Sequence, residues 1–210
     1  MSELDETIIG GSNTCAHWRA FRDSLVPGAD RVLWETAFED YFRARIQLRY
    51  LNPIRLIQEH DTQQGEGFSI VAIHCTLVEF LESTVQGINY RYAQRDEDLG
   101  PHEYRKSGPV FVGFLCKREP FRASFTTEAL AKDFYADVRC SLLHEARTRG
   151  GWRIWADGPP ATIVDPTRRV LFRNNFHNAL LQFIEWYRGA LISGTALQEA
   201  FVRKFDSLCG

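Results

Sequence analysis

Asp137-Val-Arg-Cys-Ser-Leu-Leu-His-Glu-Ala-Arg-Thr-Arg-Gly-Gly-Trp152 is the stretch around which the rest of the chain is read. It has the pattern of the last turns of an amphipathic helix carrying Arg139 and His144, with a stop expected at Gly150-Gly151. With Arg139 at 0° and about 100° per residue, Phe134, Val138, Ala131, Leu142, Tyr135, Ala146 and Leu143 fill one apolar arc. That arc runs from roughly −140° to +40° and contains Arg139 itself. A guanidinium in such a place needs a partner, because an isolated buried charge is costly. His144 falls about 140° round and about 7.5 Å along the axis, beside Asp137, Thr148 and Ser141. One straight helix therefore does not put both groups on one face. Joint chemistry requires a bent helix end, a second subunit, or a substrate that spans the two.

Arg139-x4-His144, with a small residue after the arginine and the histidine at a helix end, resembles the signature of the HEPN superfamily (higher eukaryotes and prokaryotes nucleotide-binding domain). The wider string from Arg139 to Thr148, with Gly150-Gly151-Trp152, is similar to a bacterial, often plasmid- or defence-associated branch. The resemblance implies a mainly α fold, an antiparallel helical bundle. It also implies a homodimer whose shared cleft unites two Arg/His sets, and metal-independent endoribonuclease activity without a cofactor. Many such proteins are toxins paired with an antitoxin protein, or phage-defence effectors. By the same resemblance Arg139 and His144 are the catalytic pair, with Glu79, Cys140 and Ser141 as supporting residues. Where the family commonly has Asn, Asp or His after the arginine, this chain has Cys140, a weak hydrogen-bond partner.

Two other segments satisfy a looser Arg-x4–6-His spacing. Arg55…His60 sits on a short segment after Asn52-Pro53, and Arg95…His102 straddles Leu99-Gly-Pro101, which breaks a helix. Only Arg139…His144 combines a long periodic helix, an arginine on its apolar side and a histidine near its stop.

The 210 residues, 44% hydrophobic and 25% charged, are those of an ordinary globular chain, read as a single domain over 1–210. A net charge of −2 excludes polyanion binding by bulk charge, but between Arg139 and Arg173 seven arginines face three acids. Arginine suits bidentate phosphate contact, so Arg147 and Arg149 are candidate RNA contacts; a solvated charged face is the equally weighted alternative. Five cysteines without framework spacing fit a reducing compartment and neither a disulfide scaffold nor a zinc site. With no apolar leader and no uninterrupted apolar run near membrane-spanning length, the expectation is a cytoplasmic protein without a membrane partner. No glycine-rich phosphate loop and no metal-binding motif is present.

Along the chain, 1–13 reads as a flexible tail and Cys15–Leu25 as a short helix. A long helix capped by Asp30 runs to about Leu51, and Asn52-Pro53 closes it and opens a shorter one. Gln63–Gly67 reads as a linker. Phe68–Gly87 is a second long helix carrying His74, Glu79 and Glu82. His74 is expected to be a packed structural residue; the functional alternative is that this helix faces the motif helix, with Glu79 or Glu82 as the counter-ion of Arg139. A polar loop covers 89–108, and Pro109–Arg118 is a short helix or strand. Thr127 caps the motif helix. Over 152–173 the period changes to short β-branched and aromatic runs, expected as a small antiparallel ribbon inserted after that helix. Asn175 is the expected cap of a helix to about Ile192, and Gly194-Thr195 introduces the last one.

RNA carries its own nucleophile, the 2′-hydroxyl. Its cleavage needs a group that moves protons near neutral pH and a cation for the charge that builds on phosphorus, and histidine and arginine suit those tasks. The competing readings are a non-catalytic module that binds nucleotide or RNA or dimerises, and an unrelated helical interaction domain in which Arg139 is merely ion-paired.

Overall fold

The computed structural model describes residues 5–60 and 65–210, and the chain is mainly helical. A hairpin of β1 (Ile8–Gly10) and β2 (Asn13–Thr14) leads into α1 (Cys15–Arg22). Next come α2 (31–59), α3 (Glu66–Gln86), β3 (Asn89–Tyr90), β4 (Glu103–Tyr104), α4 (Ser107–Lys117) and α5 (Phe121–Ser124). The motif helix α6 (128–145) follows, then β5 (Arg153–Trp155), β6 (Val164–Asp165), β7 (Val170–Phe172), α7 (Arg173–Ser193) and α8 (Thr195–Leu208).

Several boundaries differ from the sequence expectation. Within the expected tail, residues 1–4 lie outside the described residues, but Ile8 pairs with Thr14 across a tight turn. Asp30 caps α2, accepting from the Val32 N–H at 2.9 Å. Asn52-Pro53, however, does not close that helix: Asn52 keeps helical angles (φ −63°, ψ −47°). A proline costs one rung of the α ladder. The chain meets it after a π-helical turn, Gln47–Leu51, whose i→i+5 bonding already leaves that ladder. A bond from Gln47 Nε2 to Asn52 Oδ1 (2.6 Å) spans the same place. Of the expected linker, Gln63 and Gln64 lie outside the described residues and Glu66 already begins α3. The 89–108 loop contains a short parallel pairing of β3 with β4, pinned by Arg91–Glu103 at 2.9 Å, and α4 starts within it at Ser107.

The chain divides into two compact units. The first comprises 1–53, 83–105 and 186–210. Its core is aromatic: Trp18 meets Tyr41 edge-on at 5.1 Å, and Phe201 stacks on Phe205 at 4.4 Å. Trp18 donates to Asp206 at 2.9 Å, so its buried indole N–H is satisfied. Gly87 terminates α3 with φ +64°, and a Cβ there would lie 2.6 Å from the Ala200 backbone, so glycine is required twice over.

The second unit, 54–82 and 106–185, contains the motif helix. Phe111, Phe114, Phe121, Phe125, Phe134, Phe176 and Phe183 are all fully buried in it. Phe134 packs edge-on against Trp152 at 5.3 Å and stacks on Phe176 at 6.2 Å. The α3 helix has the length and mean hydropathy (1.4) of a membrane span, but most of it is buried within the fold. It also carries His74, Glu79 and Glu82, which marks a core helix.

The expected antiparallel ribbon is instead a mixed three-stranded sheet in the order β5-β7-β6. Strand β6 forms a hairpin with β7, whereas β5 joins the other edge in parallel, Arg153 opposite Val170 and Trp155 opposite Phe172. The connection from β5 must therefore loop past β7. Asn175 holds that loop, its Nδ2 donating to the carbonyls of Pro159 and Thr162 at 2.8 Å each. Asn175 thus lies inside α7, which begins at Arg173, and does not cap it.

Candidate functional site

The motif helix begins as expected at Thr127, whose hydroxyl accepts from the Leu130 N–H at 3.2 Å. Tyr135–Cys140 is π-helical, so the 3.6-residue wheel misplaces the side chains beyond Phe134. The helix ends at Ala146, in the left-handed region (φ 54°), and not at Gly150-Gly151. The chain then folds back: the Arg149 N–H donates to the Asp137 carbonyl at 2.8 Å, and Trp152 Nε1 donates to Asp133 at 2.9 Å. Gly150 is indispensable in this turn, since a Cβ would lie 2.0 Å from an Asp137 carboxylate oxygen and 2.6 Å from Arg169 Nη1.

Arg139 points inward. Its Nη2 lies 3.2 Å from Glu79 Oε2 on α3, and its guanidinium sits 5.4 Å from the centre of the Tyr135 ring. The side chain is 15% exposed, and its buried Nε has no hydrogen-bond partner among the described residues. Burial disfavours the charge on Arg139, but Tyr135 and Glu79 outweigh it and hold the group cationic above its ordinary range. Tyr135 is oriented by a 2.7 Å hydrogen bond between its hydroxyl and that of Ser107, and Gly108 gives its ring room. Cys140 lies beside both Arg139 and Tyr135. Cys75 on α3 is near Arg139 and Cys140, and burial pushes its thiol up to about 12, which leaves it protonated and inert. Ser141 is buried, its hydroxyl donating to the Ala136 carbonyl at 3.1 Å, a local helix contact.

His144 is exposed on the last turn, and no hydrogen bond reaches its ring among the described residues. Within one chain the inward arginine and the outward imidazole do not meet. Arg147 and Arg149 are exposed, but both pair with Glu145, Arg147 at 2.8 Å. Arg169 is tied to Asp133 at 3.3 Å, to Asp137 at 3.6 Å and to the Gly150 carbonyl at 2.5 Å. Much of the positive charge expected around the motif is thus compensated locally. The sequence reading did not assign Tyr135, Asp133, Asp137 or Arg169 a part in the site; the Gly150-Gly151 pair was the available signal for the turn they build.

His74 is fully buried, as expected of a structural histidine, but it is not alone. Its Nε2 lies 3.1 Å from His177 Nδ1, and the two rings stack at 5.2 Å. Burial pushes His74 well below its ordinary value of 6.5, with the nearby His177 and Arg173 acting the same way. Burial also lowers His177. Folding thus excludes protons that the unfolded chain takes up below about 6.5. Stability from this pair is complete above that pH and is lost as the pH falls below it, by up to about 1.4 kcal/mol per unit for each proton excluded. Urea unfolding between pH 5 and 8 should show the fall, and His177→Gln should make it shallower.

No protein-family model matches the chain, and no match was found among curated proteins or among solved structures.

Proposed function

We propose that the chain is a metal-independent endoribonuclease of the HEPN type, in which two copies share one cleft. The observation that supports this reading most is the pair of states along one helix: Arg139, held cationic with an Nε that has no partner among the described residues, and His144, exposed with no hydrogen bond to its ring among them. In this reading His144 takes the proton from a 2′-hydroxyl as its oxygen attacks phosphorus. The bond from phosphorus to the 5′-oxygen breaks, and that oxygen receives a proton from the second copy's imidazole. The guanidinium of Arg139 stabilises the charge on the phosphoryl oxygens. The products are a 2′,3′-cyclic phosphate and a 5′-hydroxyl, and DNA is spared. Because one chain points the two groups apart, the second copy or a spanning substrate is part of the proposal.

The test is incubation of the purified protein with RNA in EDTA. Cyclic-phosphate products that vanish in His144→Ala support the enzyme, and intact RNA with the parent protein sinks it. Growth arrest on expression in a bacterium, relieved by His144→Ala, is the corresponding result for a toxin or defence role.

One observation favours a second reading, a non-catalytic RNA-binding or dimerisation module. The Arg139–Glu79 pair already gives the guanidinium a counter-ion inside the fold, as a purely structural ion pair does. RNA bound but never cut is the outcome that selects it.

A further inference from the structure

The arginines around the motif are not equally committed. Arg139 pairs with Glu79, Arg147 and Arg149 with Glu145, and Arg169 with Asp133 and Asp137. The guanidinium groups of Arg153 and Arg168 have no carboxylate partner among the described residues, although the Arg168 backbone N–H donates to Asp165 at 2.9 Å, and both groups lie over one ring, that of Trp155. The guanidinium carbon of Arg168 is 4.5 Å from the ring centre and that of Arg153 is 5.7 Å away. A bond from Arg153 Nη2 to the Arg168 carbonyl (3.1 Å) ties the two together.

Trp155 is 37% exposed and packs edge-on against Phe172, which sets its plane. It forms a wall of a cavity of about 640 Å³, within the usual range for small-molecule sites. Phe68, 40% exposed, lines the same cavity, with Arg173, Asn174 and Asp157. The walls are firmly built. Asn174 donates from its backbone to the Ala156 carbonyl at 3.1 Å and from its side chain to Asp157 at 2.8 Å. Gly67 leaves room for Arg173, whose Nη1 would be 3.5 Å from a Cβ there.

Two accessible aromatic rings on a cavity, with two guanidinium groups that have no carboxylate partner among the described residues lying over one of them, match the requirements of unpaired nucleic-acid bases. The rings offer π-faces to the bases, and the arginines offer donors to phosphate. Taking RNA as the substrate, as the preceding reading does, we propose that Trp155, Phe68, Arg153 and Arg168 form a subsite that stacks a base of single-stranded RNA and pairs its phosphate.

The probe is a fluorescently labelled 12-nucleotide 2′-O-methyl oligouridine, which lacks the attacking hydroxyl and so reports binding alone. Anisotropy should show binding that weakens with salt, and a duplex of the same length should bind more weakly. Trp155→Ala should raise Kd by roughly 5- to 150-fold, the range for one lost base stack. Trp155→Phe should stay close to the parent. Arg153→Gln with Arg168→Gln, which leaves the ring in place, should weaken binding and flatten its salt dependence. Equal binding by parent and Trp155→Ala overturns the subsite, as does a parent that binds no oligouridine or prefers duplex. The cleavage assay is separate. Trp155-dependent binding without any cleavage keeps the subsite and removes the nuclease, whereas cleavage with Trp155-independent binding does the reverse.

Discussion

His144→Ala should lower RNA cleavage by about 10²–10⁴-fold, the usual worth of a positioned proton-transfer group, with no change in melting temperature. The imidazole is exposed and makes no hydrogen bond among the described residues, so its removal leaves no cavity and no orphaned polar group. Arg139→Ala should look different. It should abolish cleavage and also destabilise the fold by about 1–3 kcal/mol, because Glu79 loses its 3.2 Å cationic partner beside an apolar core. Arg139→Lys keeps the charge and should recover most of the stability, but not the planar fork that holds a phosphate. Single-turnover cleavage of a labelled RNA, measured beside urea unfolding, separates the two effects. A His144→Ala protein as active as the parent would sink the proposed chemistry.

The largest effect on stability should come from the neighbouring acid on α3. Glu82 is fully buried and receives two bonds from Arg118, at 2.8 and 3.0 Å. Removing one partner of a buried, doubly bonded pair strands the other's charge and costs about 3–5 kcal/mol. Arg118→Ala should therefore shift the urea midpoint strongly while leaving His144 and its surroundings untouched. Adding Glu82→Leu to Arg118→Ala should return part of the loss, since an apolar side chain of similar bulk needs no partner there. If Arg118→Ala unfolds like the parent, the charge on Glu82 is not what this pair secures.

The regular part of this fold was legible from residue pattern. Asp30 and Thr127 are side-chain caps where the sequence put them, and Gly87 ends α3. Arg139 on an apolar arc required a counter-ion, and Glu79 rather than Glu82 supplies it, because Glu82 is taken by Arg118. What the pattern missed depends on contacts made at a distance. An alanine in the left-handed region ends the motif helix because the following turn is stapled back through Asp137 and Asp133, a cause invisible in local propensity. The connection that separates β5 from β6 and lets β5 pair in parallel with β7 is held by the Asn175 side chain, which lies outside that connection. Which arginines stay uncompensated is likewise unreadable from a count of charges. Seven in one stretch looked alike, yet the guanidinium groups of Arg153 and Arg168 lie over an indole, whereas those of Arg139, Arg147, Arg149 and Arg169 face acids.

The wide turn over Tyr135–Cys140 makes the direction of the imidazole tolerant of a one-residue change in chain length at that place. An i→i+5 turn holds a residue that an α-helical turn would not. Deleting one position between Phe134 and Ser141 would let that turn rewind to the α form with the residues after it nearly in phase, whereas the same deletion in a regular α-helix would swivel them by about 100°. Distant kin of this chain that show a single-residue gap at that place would still hold their histidine on the same side of the rod, whatever letters surround it.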